Sequence, residues 1–193
     1  MIRQLFTAPN QLTLLRLIFI PFIIINLLDH RYDWVLGLLV AAGLSDALDG
    51  LLARSLKQQT ILGQYLDPIA DKLLLSTLFL VLSLLHMIPW KYTVLVFSRD
   101  VCIVATTAVL YATTTLREFH PSIFGKINTA CQVVTVFFVV LREMDGAAWI
   151  FVAKRVGLYA TFAFTLISGL HYIVVVSARL RAHDRAQPAD SAH

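Results

Sequence analysis

Charge is scarce in this sequence. Charged residues make up 15% of its 193 positions, where soluble domains carry about 25%, and they are clustered so that long apolar runs separate them. With 58% hydrophobic residues and a mean hydropathy of +0.74, the chain is expected to be an integral membrane protein of one domain. Cysteine is also nearly missing. Cys102 and Cys131 each lie in an apolar run with no CxxC-type neighbour, so both read as small buried hydrophobes, not as disulfide or metal partners. The start, MIRQLFTAPN, lacks a short apolar core followed by a small-residue cleavage site, and the first apolar run holds Arg16 and Pro21. A retained helix is therefore expected there, and no lipidation motif stands at either end. The net charge of +4 would point to nucleic acid in a soluble protein. Here the basic residues flank apolar runs as topology markers, and no nucleic-acid partner is expected.

What is present is a series of six apolar runs, each near the ~20 residues that cross a bilayer. They cover about Leu12 to Leu28, Trp34 to Arg54, Tyr65 to Leu85, Pro89 to Thr113, Phe124 to Leu141 and Val156 to Val176. The expected fold is an all-α integral membrane protein, with six transmembrane helices around a polar cavity open to the cytoplasm. The membrane domain would span residues 1–178, with a short interfacial segment at 1–8, and residues 179–193 would form a polar tail that leaves the helix. Lys and Arg favour one side of the membrane, which carries Arg3, Arg54, Lys57, Lys72, Arg117 and Lys126. Both termini are accordingly expected in the cytoplasm, in a bacterial inner membrane.

Residues 45–72, SDALDGLLARSLKQQTILGQYLDPIADK, break the apolar pattern with four aspartates. Asp46 and Asp49 are three residues apart, about 60° around a helix, and Asp67 and Asp71 are four apart, about 40°. Each pair shares a face. One aspartate at a helix centre costs about 2.5–3.5 kcal/mol on insertion scales, so four would cost on the order of 10 kcal/mol, comparable with the stability of a typical domain. Pairing Asp46 with Arg54, or Asp71 with Arg99, accounts for one or two of them but not for the regular spacing. Oxygen ligands without His or Cys select hard cations, Mg²⁺ first and Mn²⁺ or Ca²⁺ next, and argue against zinc. Two such ions can neutralise a diphosphate and stabilise in-line displacement at phosphorus. Gly50, Ala53 and Gly63 leave room for a ligand against the backbone. With the first residue inside, Asp46 lies about 18 Å along the second span. Asp46 and Asp71 would then form a cavity floor, with Asp49 and Asp67 nearer its mouth, on two antiparallel neighbouring helices.

The pattern Asp46-x2-Asp49-Gly50-x2-Ala53-Arg54-x8-Gly63-x3-Asp67-x3-Asp71 resembles, at all eight positions, the signature of the CDP-alcohol phosphatidyltransferase family. That resemblance implies that the four aspartates ligate two Mg²⁺-type ions and that Asp71 is also the general base for the acceptor hydroxyl. Gly50 and Ala53 would line a cytidine site, and Arg54 would hold the diphosphate. It further implies a CDP-diacylglycerol donor, release of CMP and a homodimer. Asn10-x2-Thr13-x2-Arg16 resembles the start of the glycerophospholipid branch, beside the diphosphate; the plainer alternative is an Asn N-cap with Arg16 snorkelling to headgroups.

Ser98-Arg99-Asp100 interrupts the fourth span. Neighbours on a helix do not face one another, so Arg99 and Asp100 are not expected to pair; Arg99 would point into the cavity, as counter-ion to an aspartate or as part of an acceptor pocket. Lys126 would bind an acceptor phosphate or anchor at the interface. F-S-R-D-V and P-S-I-F-G-K-I-N-T-A look like CMP-forming cardiolipin synthases, while N-x2-T-x2-R equally suits phosphatidylglycerophosphate synthases. A glycerol-type acceptor follows, either glycerol 3-phosphate or phosphatidylglycerol, with inositol or serine as weaker choices. A cation-transport protein needs carboxylates but not the Gly50, Ala53, Arg54 and Gly63 pattern. The Asp71→Asn variant is expected to abolish transfer, read as CMP release, while CDP-lipid binding measured at equilibrium survives at least in part.

Overall fold

Long apolar runs with few breakers have one way to satisfy their own backbone away from water, which is the helix. The computed structural model describes the backbone of residues 8–56, 61–113 and 123–186, with side chains at 15, 17–45, 70–105, 123, 125–174 and 177. It forms α1 (Ala8–Leu28), α2 (Tyr32–Leu56), α3 (Ile61–Leu84), α4 (Trp90–Thr113), α5 (Ile123–Met144) and α6 (Ala148–Ala186), with no strand among the described residues. The first five helices fall within a few residues of the expected runs.

The sixth does not. It starts eight residues before Val156 and runs for 39 residues to Ala186. Lys154 and Arg155 stay inside the helix because each finds a partner there. Lys154 Nζ lies 3.9 Å from the Glu143 carboxylate, and the Arg155 guanidinium lies 5.6 Å from the Phe151 ring centre. Beyond Arg179, where the chain was expected to leave the helix, the good helix formers in ARLRAHDRA carry it on to Ala186.

Tight turns join α1 to α2, α3 to α4 and α5 to α6, which makes each pair antiparallel. Two of these turns share one device. His30 (φ 57°) and His86 (φ 60°) sit in the left-handed region. Behind them Arg31 N–H donates to Asn26 C=O (2.8 Å) and Met87 N–H to Leu82 C=O (2.9 Å), while His30 and His86 N–H donate to Leu27 and Ser83 C=O. Both helices thus end in a Schellman cap, with His where Gly is usual.

The apolar core lies in the half of the bundle that holds these turns. Ile23, Leu27, Val35, Phe79, Leu82, Val96, Val139 and Ile150 are fully buried there. The outer surface is apolar as well, with Ile18, Val104, Leu170 and Val174 more than half exposed. Soluble proteins rarely present such a surface. Cys102, expected to be buried, stands on it. Trp34, Trp90 and Trp149 are each over half exposed and lie within the first three residues of α2, α4 and α6. All three therefore gather at the turn end, in the manner of an interfacial aromatic belt. Among the described residues two segments, Gly125–Met144 and Ala148–Val174, are long and apolar enough to cross a membrane by hydropathy.

The longest interhelical seam joins α5 to α6, and it is polar. Asn128, Gln132 and Thr135 on α5 meet Thr161, Thr165 and Ser168 on α6, all at most 3% exposed. Thr165 Oγ1 donates to Asn128 Oδ1 (2.9 Å), and the Thr135 and Thr161 hydroxyls are 2.9 Å apart. Gly157 allows this approach, since a Cβ there would stand 2.9 Å from Thr135 Oγ1 and 3.4 Å from Thr135 Cα. Gly157→Ala is accordingly expected to destabilise the protein by about 1–3 kcal/mol through overpacking. Gly37→Ala, whose Cβ meets nothing within 4 Å, should match or exceed wild type; thermal unfolding in detergent reads both.

Candidate active site

The eight signature positions fall on two consecutive helices. Asp46, Asp49, Gly50, Ala53 and Arg54 occupy the last three turns of α2, and Gly63, Asp67 and Asp71 the first three of α3. Among their side chains the described residues include only Asp71. Those of Asp46, Asp49, Gly50, Ala53, Arg54, Gly63 and Asp67 lie outside, as do Asn10, Thr13 and Arg16 on α1. The helix positions still constrain them. Both signature segments lie at the end of the bundle away from the tryptophans, and α2 and α3 each pack on α1 and on α5.

Asp71 is half-buried and lines a cavity of about 450 Å³ between α2, α3 and α5. The α2 wall is Leu39, Val40, Ala42, Gly43 and Leu44. Leu74, Leu75 and Leu78 follow Asp71 on α3, and Thr129, Val133, Val136 and Phe137 belong to α5. Position 46 stands three residues beyond Gly43 and four beyond Ala42, so it shares their face by register. Position 46 on α2 and Asp71 on α3 therefore stand, by register, on the sides of their helices that border this space. An oxygen-only donor set on two helices that face a common gap fits hard divalent cations. The polar cavity expected there falls mostly on side chains outside the described residues. Among the described residues the cavity extends from Asp71 toward the tryptophan end, Asp71 is the one charged residue that lines it, and apart from Thr129 the others are apolar.

A second charged group lies beside it. Lys72 Nζ is 2.6 Å from Asp100 Oδ1, and Arg99 Nη1 donates to the same oxygen at 2.7 Å. Arg99 Nη2 donates to Ser168 Oγ at 2.7 Å. The expectation that Arg99 and Asp100 would not pair is overturned. Adjacent Cβ atoms diverge by about 100° on a helix, but the long arginine stem brings its fork back to the neighbouring carboxylate. The side chains of Arg99 and Asp100 are 10% and 16% exposed, so burial makes the pairing obligatory. The result is a clamp across α3, α4 and α6, with Asp100 shared between two cations.

Lys126 is exposed in the first turn of α5, and the cavity is reached from that helix by Thr129, whose hydroxyl donates to Gly125 C=O (3.1 Å). The polar seam of Asn128, Gln132, Thr135, Thr161, Thr165 and Ser168 was not anticipated. Its sequence signal is one i, i+4, i+7 spacing of uncharged polar residues repeated on both helices, which a search for charge passes over. Asp100→Asn is expected to cost about 1–3 kcal/mol in detergent unfolding, because it leaves the two cations of a mostly buried network without their counter-charge. Lys72→Met should cost less than about 1 kcal/mol, since the Lys72 side chain is 38% exposed.

Comparison with known proteins bears on this arrangement. A family model described as CDP-alcohol phosphatidyltransferase matches residues 6–182. The human protein named cardiolipin synthase (CMP-forming) is 33% identical over 149 residues, 67% of this chain and 48% of that protein. The chain thus spans about half the length of that relative, and 53% of a Mycobacterium tuberculosis protein named putative cardiolipin synthase, at 36% identity over 110 residues and 56% of this chain. A Bacillus subtilis protein named CDP-diacylglycerol–glycerol-3-phosphate 3-phosphatidyltransferase is 29% identical over 184 residues, 87% of this chain and 94% of that protein.

Proposed function

Because this chain belongs to the CDP-alcohol phosphatidyltransferase family, we propose that it moves a phosphatidyl group from CDP-diacylglycerol to a glycerol-type acceptor and releases CMP. The observation that carries the reading is the full eight-residue signature on α2 and α3, within a family match that covers nearly the whole chain. Relatives named for glycerol 3-phosphate transfer and for cardiolipin synthesis support the acceptor class.

In this reading Asp46, Asp49, Asp67 and Asp71 hold two Mg²⁺ or Mn²⁺ ions, which when bound neutralise the donor diphosphate and stabilise charge at the displaced phosphorus. Arg54 holds the diphosphate, with Arg16 beside it after Asn10 and Thr13. Gly50 and Ala53 leave space for the cytidine, and Gly63 keeps the start of α3 close to it. Asp71 takes the proton of the acceptor hydroxyl. The new bond joins the acceptor oxygen to the phosphatidyl phosphorus, the bond to the bridging diphosphate oxygen breaks, and CMP carries away that oxygen. A carboxylate near a cation is a weak base. It serves here because an acceptor hydroxyl in the same field is itself more acidic.

All six helices are proposed to span the membrane, with the tryptophans at the far interface and the signature end toward the cytoplasm of a bacterial inner membrane, where Lys and Arg are most frequent. A homodimer is proposed on the family resemblance. Purified protein given CDP-diacylglycerol and Mg²⁺ or Mn²⁺ is expected to release CMP with glycerol 3-phosphate or with phosphatidylglycerol, and the productive acceptor fixes the branch. Silence with both, with inositol and with serine would overturn the reading.

A further inference from the structure

Lys72 follows Asp71 directly in the sequence, yet the two side chains serve different sides of α3. Asp71 lines the cavity between α2, α3 and α5. The Lys72 ammonium lies instead against α4, 2.6 Å from the Asp100 carboxylate, and among the described residues none of α4 lines that cavity. Helix geometry alone does not keep the lysine there. Helical side chains lean toward the N-terminus, so Lys72 leans back over the turn that carries Asp71. Adjacent side chains do meet on a helix of this chain, since Arg99 reaches Asp100 at 2.7 Å. What holds Lys72 is its partner. The Lys72 side chain is 38% exposed and that of Asp100 16%, so the ammonium is the freer member of the pair and the carboxylate the fixed one. Arg99 fixes Asp100 further, donating to the same oxygen and also to Ser168 of α6 at 2.7 Å.

We propose that Asp100 is a positioning residue for metal binding: it holds the Lys72 ammonium against α4, away from the signature carboxylates that would otherwise attract it. The proposal rests on the phosphatidyltransferase reading, in which Asp71 and the other three signature aspartates hold two divalent cations. A lysine one residue from such a ligand is a competitor for it. Its ammonium is a compact point charge on a flexible stem. A cation within about 4–6 Å of a carboxylate lowers the affinity of that carboxylate for a proton by about tenfold to a thousandfold, and an incoming metal ion meets the same competition. Asp100 removes the competitor without removing the lysine. The clamp across α3, α4 and α6 thus has a second consequence besides joining helices: it leaves the negative charge at Asp71 available to a divalent ion.

The test is equilibrium binding of Mn²⁺ to the purified full chain in detergent, read by electron paramagnetic resonance of the free ion. Asp100→Asn, and independently Asp100→Ala, are expected to weaken Mn²⁺ binding by about tenfold or more. Adding Lys72→Met to either variant is expected to return binding to near the wild-type value, and Lys72→Met alone to bind no more weakly than wild type. Each variant is first compared with wild type by thermal unfolding. If Asp100 serves only to join the helices, removing Lys72 as well restores no contact, and the double variants bind Mn²⁺ as weakly as the single ones. That result overturns the proposal, as does wild-type binding in both single variants, and either leaves the enzyme reading intact where wild type binds Mn²⁺ and releases CMP. A wild type that binds no Mn²⁺ overturns the proposal, and one that also releases no CMP overturns the enzyme reading with it.

Discussion

Charge inside an apolar environment has to be paired, and Asp100 is where this chain meets that demand for three helices together. Its carboxylate takes Lys72 from α3 and Arg99 from its own helix, and Arg99 reaches on to Ser168 of α6. From Ser168 the polar side chains continue one turn along α6 to Thr165 and across to Asn128 of α5. Unpaired, any of these groups would cost more in hydrocarbon than its neighbours could offset. Paired, they lock α3, α4, α5 and α6 in one arrangement around the signature end. The opposite end is built differently, from fully buried Ile, Leu, Val and Phe under two histidine-capped turns. Apolar packing fixes the bundle where nothing polar has to happen, and directional bonds fix it where charge is handled.

That division explains what could be read in advance. Five of the six helices were legible because hydropathy and the turn residues agree. The sixth was cut short because Lys154 and Arg155 look like loop charges in a linear string. A carboxylate on the preceding helix and a phenyl ring one turn back absorb them, and neither is visible without the fold. The Arg99–Asp100 pair was missed for a related reason. Helix geometry says where Cβ atoms point, whereas a four-bond side chain decides for itself where its charge comes to rest. Uncharged polar residues were missed because they cost little individually, and their common spacing on α5 and α6 becomes a signal only when the two helices are set side by side. The signature itself needed no structure to be found. Its eight residues stand on two consecutive helices, and of their side chains Asp71 alone is among the described residues.

The gap between those helices has its own physical logic. Four carboxylates gathered as the proposed function requires would repel one another, and helices packed face to face would leave no room for a neutralising ion. Here α2 and α3 are both braced by α1 on one side and α5 on the other, so their separation does not depend on direct contact at the aspartates. Beyond Asp71, toward the tryptophan end, the same separation leaves a space walled by Leu, Val, Phe and a bare glycine. Asp71 stands at the boundary between the two regimes. A phospholipid donor has the same two parts in the same order, a charged diphosphate and a hydrocarbon chain joined through a short ester. For the donor proposed above, a gap with a carboxylate at one end and mostly apolar described walls beyond it suits both parts of such a molecule at once.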